Sequence, residues 1–96
     1  IATLKEWLTE RRSLVILDVR EPMEYQNGSI PGAINLPRGI LELEIDSVVA
    51  IQEQPVLVYC GGGSRSALAA QTLQVMGYQS VHSLSGGFRE WQASLS

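Results

Sequence analysis

Two apolar runs stand out along the chain: Val15, Ile16 and Leu17, ending at Asp18, and Val56, Leu57, Val58 and Tyr59, ending at Cys60. Runs this short and without polar alternation suit strands buried on both faces of a parallel sheet. Residues 33–36, after Pro31 and Gly32, and residues 81–84 read as further brief strands. Helical signals fall between them. Thr3 and Glu6 form a capping box ahead of an apolar stripe of Leu4, Trp7 and Leu8. Pro22 suits the first turn of a short helix that Gly28 closes with positive φ. Residues 40–52 are ambiguous, because Leu41, Leu43 and Ile45 alternate as in a strand whereas Leu41, Ile45, Val48 and Val49 share a helical face. A mostly helical segment is the expectation. Residues 65–76 carry a helical pattern ended by Gly77, and Gly86 and Gly87 lead into a last short helix holding Phe88 and Trp91. This order of strands and helices predicts an α/β layer structure with a largely parallel sheet covered on both sides.

Composition narrows the classes of function. A length of 96 residues suits one domain, 1–96, and 45% apolar with 18% charged residues is ordinary globular composition. A net charge of -3, with seven scattered basic residues, argues against nucleic acid or anionic membrane as a partner. No apolar stretch approaches the roughly 20 residues needed to span a bilayer, and no secretory signal is apparent. The expectation is a soluble, cytoplasmic domain. The start at Ile1 is equally compatible with one domain of a larger protein. With a single cysteine, the described chemistry includes no internal disulfide and no C-x-x-C motif. Cys60 and His82 lie too far apart in sequence to anchor a zinc site, so neither metal nor cofactor is expected.

Cys60 carries the candidate chemistry. Ligands in open parallel sheets bind beyond the carboxyl ends of strands, and Cys60 directly follows such a strand. Gly61, Gly62 and Gly63 come next, then Ser64, Arg65 and Ser66 at a helix start. Successive glycine amides turned inward form an anion-binding nest, to which the helix adds the positive end of its dipole. Such surroundings lower a thiol pKa, and the thiolate is the form that attacks in sulfur exchange. A buried structural cysteine is the plainer alternative. Ser64 and Ser66 also suit helix capping, and Arg65 suits either a surface helix charge or a loop-bracing or substrate-binding role, in which its fixed fork of donors meets carbonyls or oxyanions. His82 alternates with Val81 and Ser83 in a strand, and a structural role fits it better than a catalytic one.

Three motifs resemble those of rhodanese-domain sulfurtransferases. Cys60-Gly61-Gly62-Gly63-Ser64-Arg65-Ser66 matches their C-x-x-G-x-R-S loop. The stretch from Leu17-Asp18-Val19-Arg20-Glu21-Pro22 through Glu24, Tyr25, Gly28 and Ile30-Pro31-Gly32-Ala33 to Pro37 is similar to their upstream motif, and Leu84-x-Gly86-Gly87-Phe88-x-x-Trp91 fits the closing one. The resemblance implies a three-layer rhodanese-like fold with a five-stranded parallel sheet. It further implies Cys60 as persulfide carrier, substrate-binding amides from Gly61 to Ser66, and structural support from Asp18 and Arg20. The implied partners are small sulfur donors (thiosulfate, thiol persulfides, mercaptopyruvate) and acceptors (cyanide, thiols), extending to a sulfur-accepting protein. One departure is Ser29, where the family motif usually has His. The uncharged glycine run also lacks the basic loop side chains of some thiosulfate-preferring relatives.

Two other classes compete. Cysteine phosphatases and arsenate reductases also use a thiolate in an amide loop, but with C-x5-R, whereas Cys60 and Arg65 form C-x4-R. The shorter ring suits one sulfur and crowds a tetrahedral phosphoryl group. Non-catalytic docking versions of the fold commonly lack the cysteine that is present here.

Overall fold

The computed structural model describes residues 14–84 and 86–94. The capping box at Thr3 and Glu6 and the stripe of Leu4, Trp7 and Leu8 lie outside the described residues.

The described elements run β1 (Val15–Asp18), α1 (Pro22–Gln26), β2 (Ile34–Asn35), a 3-10 turn (Arg38–Ile40), α2 (Leu41–Val48), β3 (Val56–Tyr59), α3 (Ser64–Val75), β4 (Val81–Ser83) and α4 (Gly87–Ser94). Among the described residues the sheet has four strands in the order β2-β1-β3-β4, all pairings parallel. This is one strand fewer than the resemblance implies. β2 and β4 are shorter than their apolar patterns, but Leu36 and Leu84 still donate backbone bonds to the carbonyls of Asp18 and Val58 and prolong the ladder.

Side chains alternate across the two inner strands and build a core on each face. Leu17, Val19, Val56, Val58 and Cys60 face one layer with Leu41, Ile45, Ala69 and Leu73 of α2 and α3. Ile16, Leu57 and Tyr59 face the other with Ile30, Leu84 and Trp91, against which Tyr25 and Phe88 pack. A fold with helices on both faces of a parallel sheet is thus confirmed.

The ambiguous segment resolves by its burial. Leu41, Ile45 and Val49 are buried at a four-residue spacing while Leu43 is 81% exposed, so the helical stripe prevails over the alternation. α3 starts and stops one residue earlier than its pattern. It ends in a Schellman arrangement, in which Gly77, at φ +107°, donates to the Gln74 carbonyl and Tyr78 to that of Leu73. No helix among the described residues is long and apolar enough to cross a membrane.

Candidate active site

The carboxyl ends of β1, β3 and β4 fall side by side, with Asp18 opposite Tyr59 and Val58 opposite Ser83. Cys60 leaves β3 at this edge and is fully buried. Its Sγ accepts a hydrogen bond from the Gly63 amide at 3.0 Å and another from the Ser66 amide at 3.4 Å, and the Ser66 hydroxyl lies at 3.6 Å. Burial pushes the thiol up, but the Ser66 amide and hydroxyl together with the Gly63 and Gly62 amides outweigh it, leaving Cys60 below the ordinary thiol value.

The loop closes because Gly63 takes φ +110° as the residue before α3, a conformation in the left-handed region that favours glycine. The positive-φ turn rests on Gly63 and not on Gly61 or Gly62. Neither serine caps the helix. Ser64 is the first helical residue, with an exposed side chain, while the Ser66 hydroxyl is turned inward to the Gly63 carbonyl at 3.1 Å and the Ser83 hydroxyl at 2.8 Å. Arg65 makes a bidentate pair with Glu24 of α1, at 2.8 and 3.1 Å. These bonds hold Arg65 above its ordinary value and Glu24 down at about 2, with the negative sulfur of Cys60 a smaller influence on the guanidinium. Arg65 therefore joins the loop to α1 and is not a bare surface charge.

Beneath the loop sits a buried polar cluster. The Arg20 guanidinium donates to Asp18 through Nε at 3.0 and 3.1 Å and through a terminal nitrogen at 2.7 Å, and that nitrogen also reaches the Gly28 carbonyl at 2.6 Å. The Tyr59 hydroxyl donates to Asp18 at 2.9 Å and accepts from the Ile30 amide at 3.0 Å. Burial first, and then the Asp18 carboxylate, push the Tyr59 phenol well above the usual range. Arg20 also lies over the Phe88 ring, 4.4 Å from its centroid. Asp18 and Arg20 thus tie the strand edge to the segment after α1 and to the start of α4.

From outside, α4 holds the loop by its backbone. The Phe88 amide donates to the Cys60 carbonyl at 2.7 Å and the Arg89 amide to the Gly61 carbonyl at 3.1 Å. Gly87 makes this approach possible, since a Cβ there would overlap the Cys60 carbonyl oxygen and crowd Gly61, and its φ is +57°.

The structure places the loop residues, Asp18 and Arg20 at one sheet edge, and adds contacts from Glu24, Tyr59, Ser83 and the Arg89 backbone that sequence reasoning did not single out. Glu24 lies 41 residues from Arg65 and Ser83 lies 17 from Ser66, so no local spacing joins them. A usable signal existed for Ser83, which ends a strand at the same sheet edge as Cys60. His82, also in β4, pairs in register with Leu57.

A sequence profile of the rhodanese-like domain matches residues 1–94. The chain is 40% identical over 94 residues to a thiosulfate sulfurtransferase of Coxiella burnetii, covering 97% of this chain and 86% of that protein. Among solved structures, a human single-domain sulfurtransferase superposes with a TM-score of 0.87 at 26% identity, over 100% of this chain and 95% of that one. A Rhodopseudomonas palustris protein of unknown function, described as a possible tyrosine phosphatase, superposes with a TM-score of 0.85 at 37% identity, over 98% of this chain and 76% of that one. With the C-x-x-G-x-R-S loop in place at the end of a parallel strand, the chain belongs to the rhodanese-like domain family.

Proposed function

We propose that this protein is a sulfurtransferase in which Cys60 takes sulfane sulfur from a donor and hands it to a thiophilic acceptor. The observation that carries the reading is the enclosure of a single sulfur atom, with the amides of Gly63 and Ser66 directed at Sγ itself at 3.0 and 3.4 Å. Amides bonded to the sulfur favour its thiolate, which is the attacking form in sulfur exchange. With thiosulfate, the thiolate forms a bond to the outer sulfur, the bond between the two donor sulfurs breaks, and sulfite departs with the electron pair. The resulting Cys60 persulfide is then attacked at its terminal sulfur by cyanide or a thiolate. That step releases thiocyanate or a new persulfide and returns the Cys60 thiolate, so the cycle is ping-pong and needs no cofactor.

In this reading Cys60 is the catalytic residue, and Gly61, Gly62, Gly63, Ser64, Arg65 and Ser66 form the ring that receives donor and persulfide. Asp18 and Arg20 support the ring from below. The partners are small sulfur donors and acceptors, extending to a sulfur-accepting protein. A working thiol suits the reducing cytoplasm. Phosphoryl chemistry fits less well, because the C-x4-R ring closes on Sγ with the Gly63 amide at 3.0 Å.

Intact-protein mass after incubation with thiosulfate tests the proposal. The expected result is a gain of one sulfur, removed by cyanide with release of thiocyanate and absent in Cys60→Ser. A protein that gains no sulfur from any donor and hydrolyses an aryl phosphate would overturn it.

A further inference from the structure

Of the arginines among the described residues, three are already engaged: Arg20 with Asp18 and Gly28, Arg38 with Glu42 and Thr72, and Arg65 with Glu24. Arg89 is different. Its guanidinium has no hydrogen bond or ion pair among the described residues, and it is exposed on the first turn of α4. It does not project away from the loop. The three atoms at the end of its side chain lie 3.7, 3.8 and 3.8 Å from the point a Cβ on Gly62 would occupy, so the guanidinium lies beside Gly62. Its own amide is bonded to the Gly61 carbonyl at 3.1 Å, which fixes the residue to the loop it faces.

An uncommitted, planar fork of donors beside a ring of amides is suited to an oxyanion, which guanidinium binds in a bidentate manner. Within the ring the three glycines are uncharged and Arg65 is paired with Glu24 through both terminal nitrogens, so Arg89 is the guanidinium beside the loop that has no carboxylate partner among the described residues. We infer that Arg89 is the donor-binding residue that reads the sulfonate end of thiosulfate, and that it makes the site selective for oxyanionic donors. The inference rests on the sulfurtransferase reading above. With the outer donor sulfur at Cys60, the sulfonate lies at the mouth of the ring, where Arg89 steadies it and then holds the departing sulfite. A glycine at 62 keeps the face between guanidinium and ring clear of a side chain.

The test compares two donors in steady-state kinetics on the full chain: thiosulfate, and cysteamine persulfide, which has no sulfonate. Arg89→Gln is expected to raise KM for thiosulfate roughly tenfold while kcat stays within about twofold, as loss of a charge-assisted contact made in the bound complex requires. Arg89→Lys should recover part of the loss through charge without the fork. Kinetics with cysteamine persulfide should be unchanged in both variants. A wild-type KM for thiosulfate in Arg89→Gln overturns the assignment, and so does an equal loss with both donors, which would mark a structural role. In either case the sulfurtransferase reading survives if wild type still loads sulfur. Wild type that loads sulfur from neither donor overturns both.

Discussion

The Ser66 and Ser83 hydroxyls share a hydrogen bond of 2.8 Å, which joins the group beside Cys60 Sγ to the end of β4. Either hydroxyl can donate. When Cys60 is a thiolate, the Ser66 proton can turn from the Gly63 carbonyl to sulfur while Ser83 donates to Ser66, which places a donor on the anion. Ser66→Ala should therefore raise the Cys60 pKa and slow sulfur uptake near neutral pH roughly tenfold, the scale of one hydrogen bond to a charged group. Ser83→Ala should act in the same direction and more weakly. Thiolate absorbance against pH measures both, and equal titration curves for all three proteins would exclude the chain.

Gly63 and Gly62 separate backbone from space. Gly63 sits at φ +110°, whereas Gly62 has no positive φ and a Cβ there would make only ordinary contact with Arg89. Gly63→Val should distort the turn, withdraw its amide from Sγ and raise the thiol pKa. Gly62→Ala should leave the titration curve in place. The same curve for both variants would show that the turn does not set the thiolate.

The Glu24 carboxyl, held at about 2 chiefly by hydrogen bonds from Arg65, sets a pH dependence. A depressed carboxyl stabilises the fold above its unfolded value near 4.5, and the contribution fades as pH falls toward 2. Both side chains are more than a third exposed, at 40% and 38%, so solvent screening keeps the contribution to about 1 kcal/mol or less. Glu24→Gln should lower Tm slightly at pH 7, with the difference from wild type vanishing as pH approaches 2. Arg65→Ala should slow sulfur transfer more than Arg65→Lys, because only charge survives in Lys.

The buried pair of Asp18 and Arg20 should give the largest stability effect. Asp18→Ala leaves Arg20 without its counter-charge and should cost about 3–5 kcal/mol in urea denaturation. Tyr59→Phe strands the Ile30 amide and should cost about 1–3 kcal/mol. A double replacement of Asp18 and Arg20 by Ala that costs less than Asp18→Ala alone would confirm that the charge left behind dominates.

The chain made its inner strands legible because both are unbroken apolar runs, and it made the loop legible because thiol, glycines, serines and arginine are contiguous. Edge strands were read too long, since β2 and β4 keep only part of their apolar stretches in the regular ladder. The two readings left open for Arg65 could not be separated without Glu24, which reaches it only through folding. Arg89 was invisible for a related reason: beside Phe88 and Trp91 it reads as the polar side of an amphipathic turn, and nothing in the local pattern places it over Gly62. Residues adjacent in the chain announced themselves, and residues brought together by the sheet edge did not.

The backbone bonds from Phe88 and Arg89 to the carbonyls of Cys60 and Gly61 bear on the orientation of the peptide groups that make the ring. A peptide plane has two ends, and an anchored oxygen prevents it from rotating end for end. By engaging the Gly61 oxygen from outside, the last helix fixes the peptide whose other end is the Gly62 amide, one of the groups that lower the Cys60 thiol. Part of the attraction the sulfur meets is in this sense held from a distance, by a segment more than twenty residues further along the chain. Loss of that helix would free the peptide carrying the Gly62 amide to turn, while the Gly63 and Ser66 amides kept their places on the sulfur.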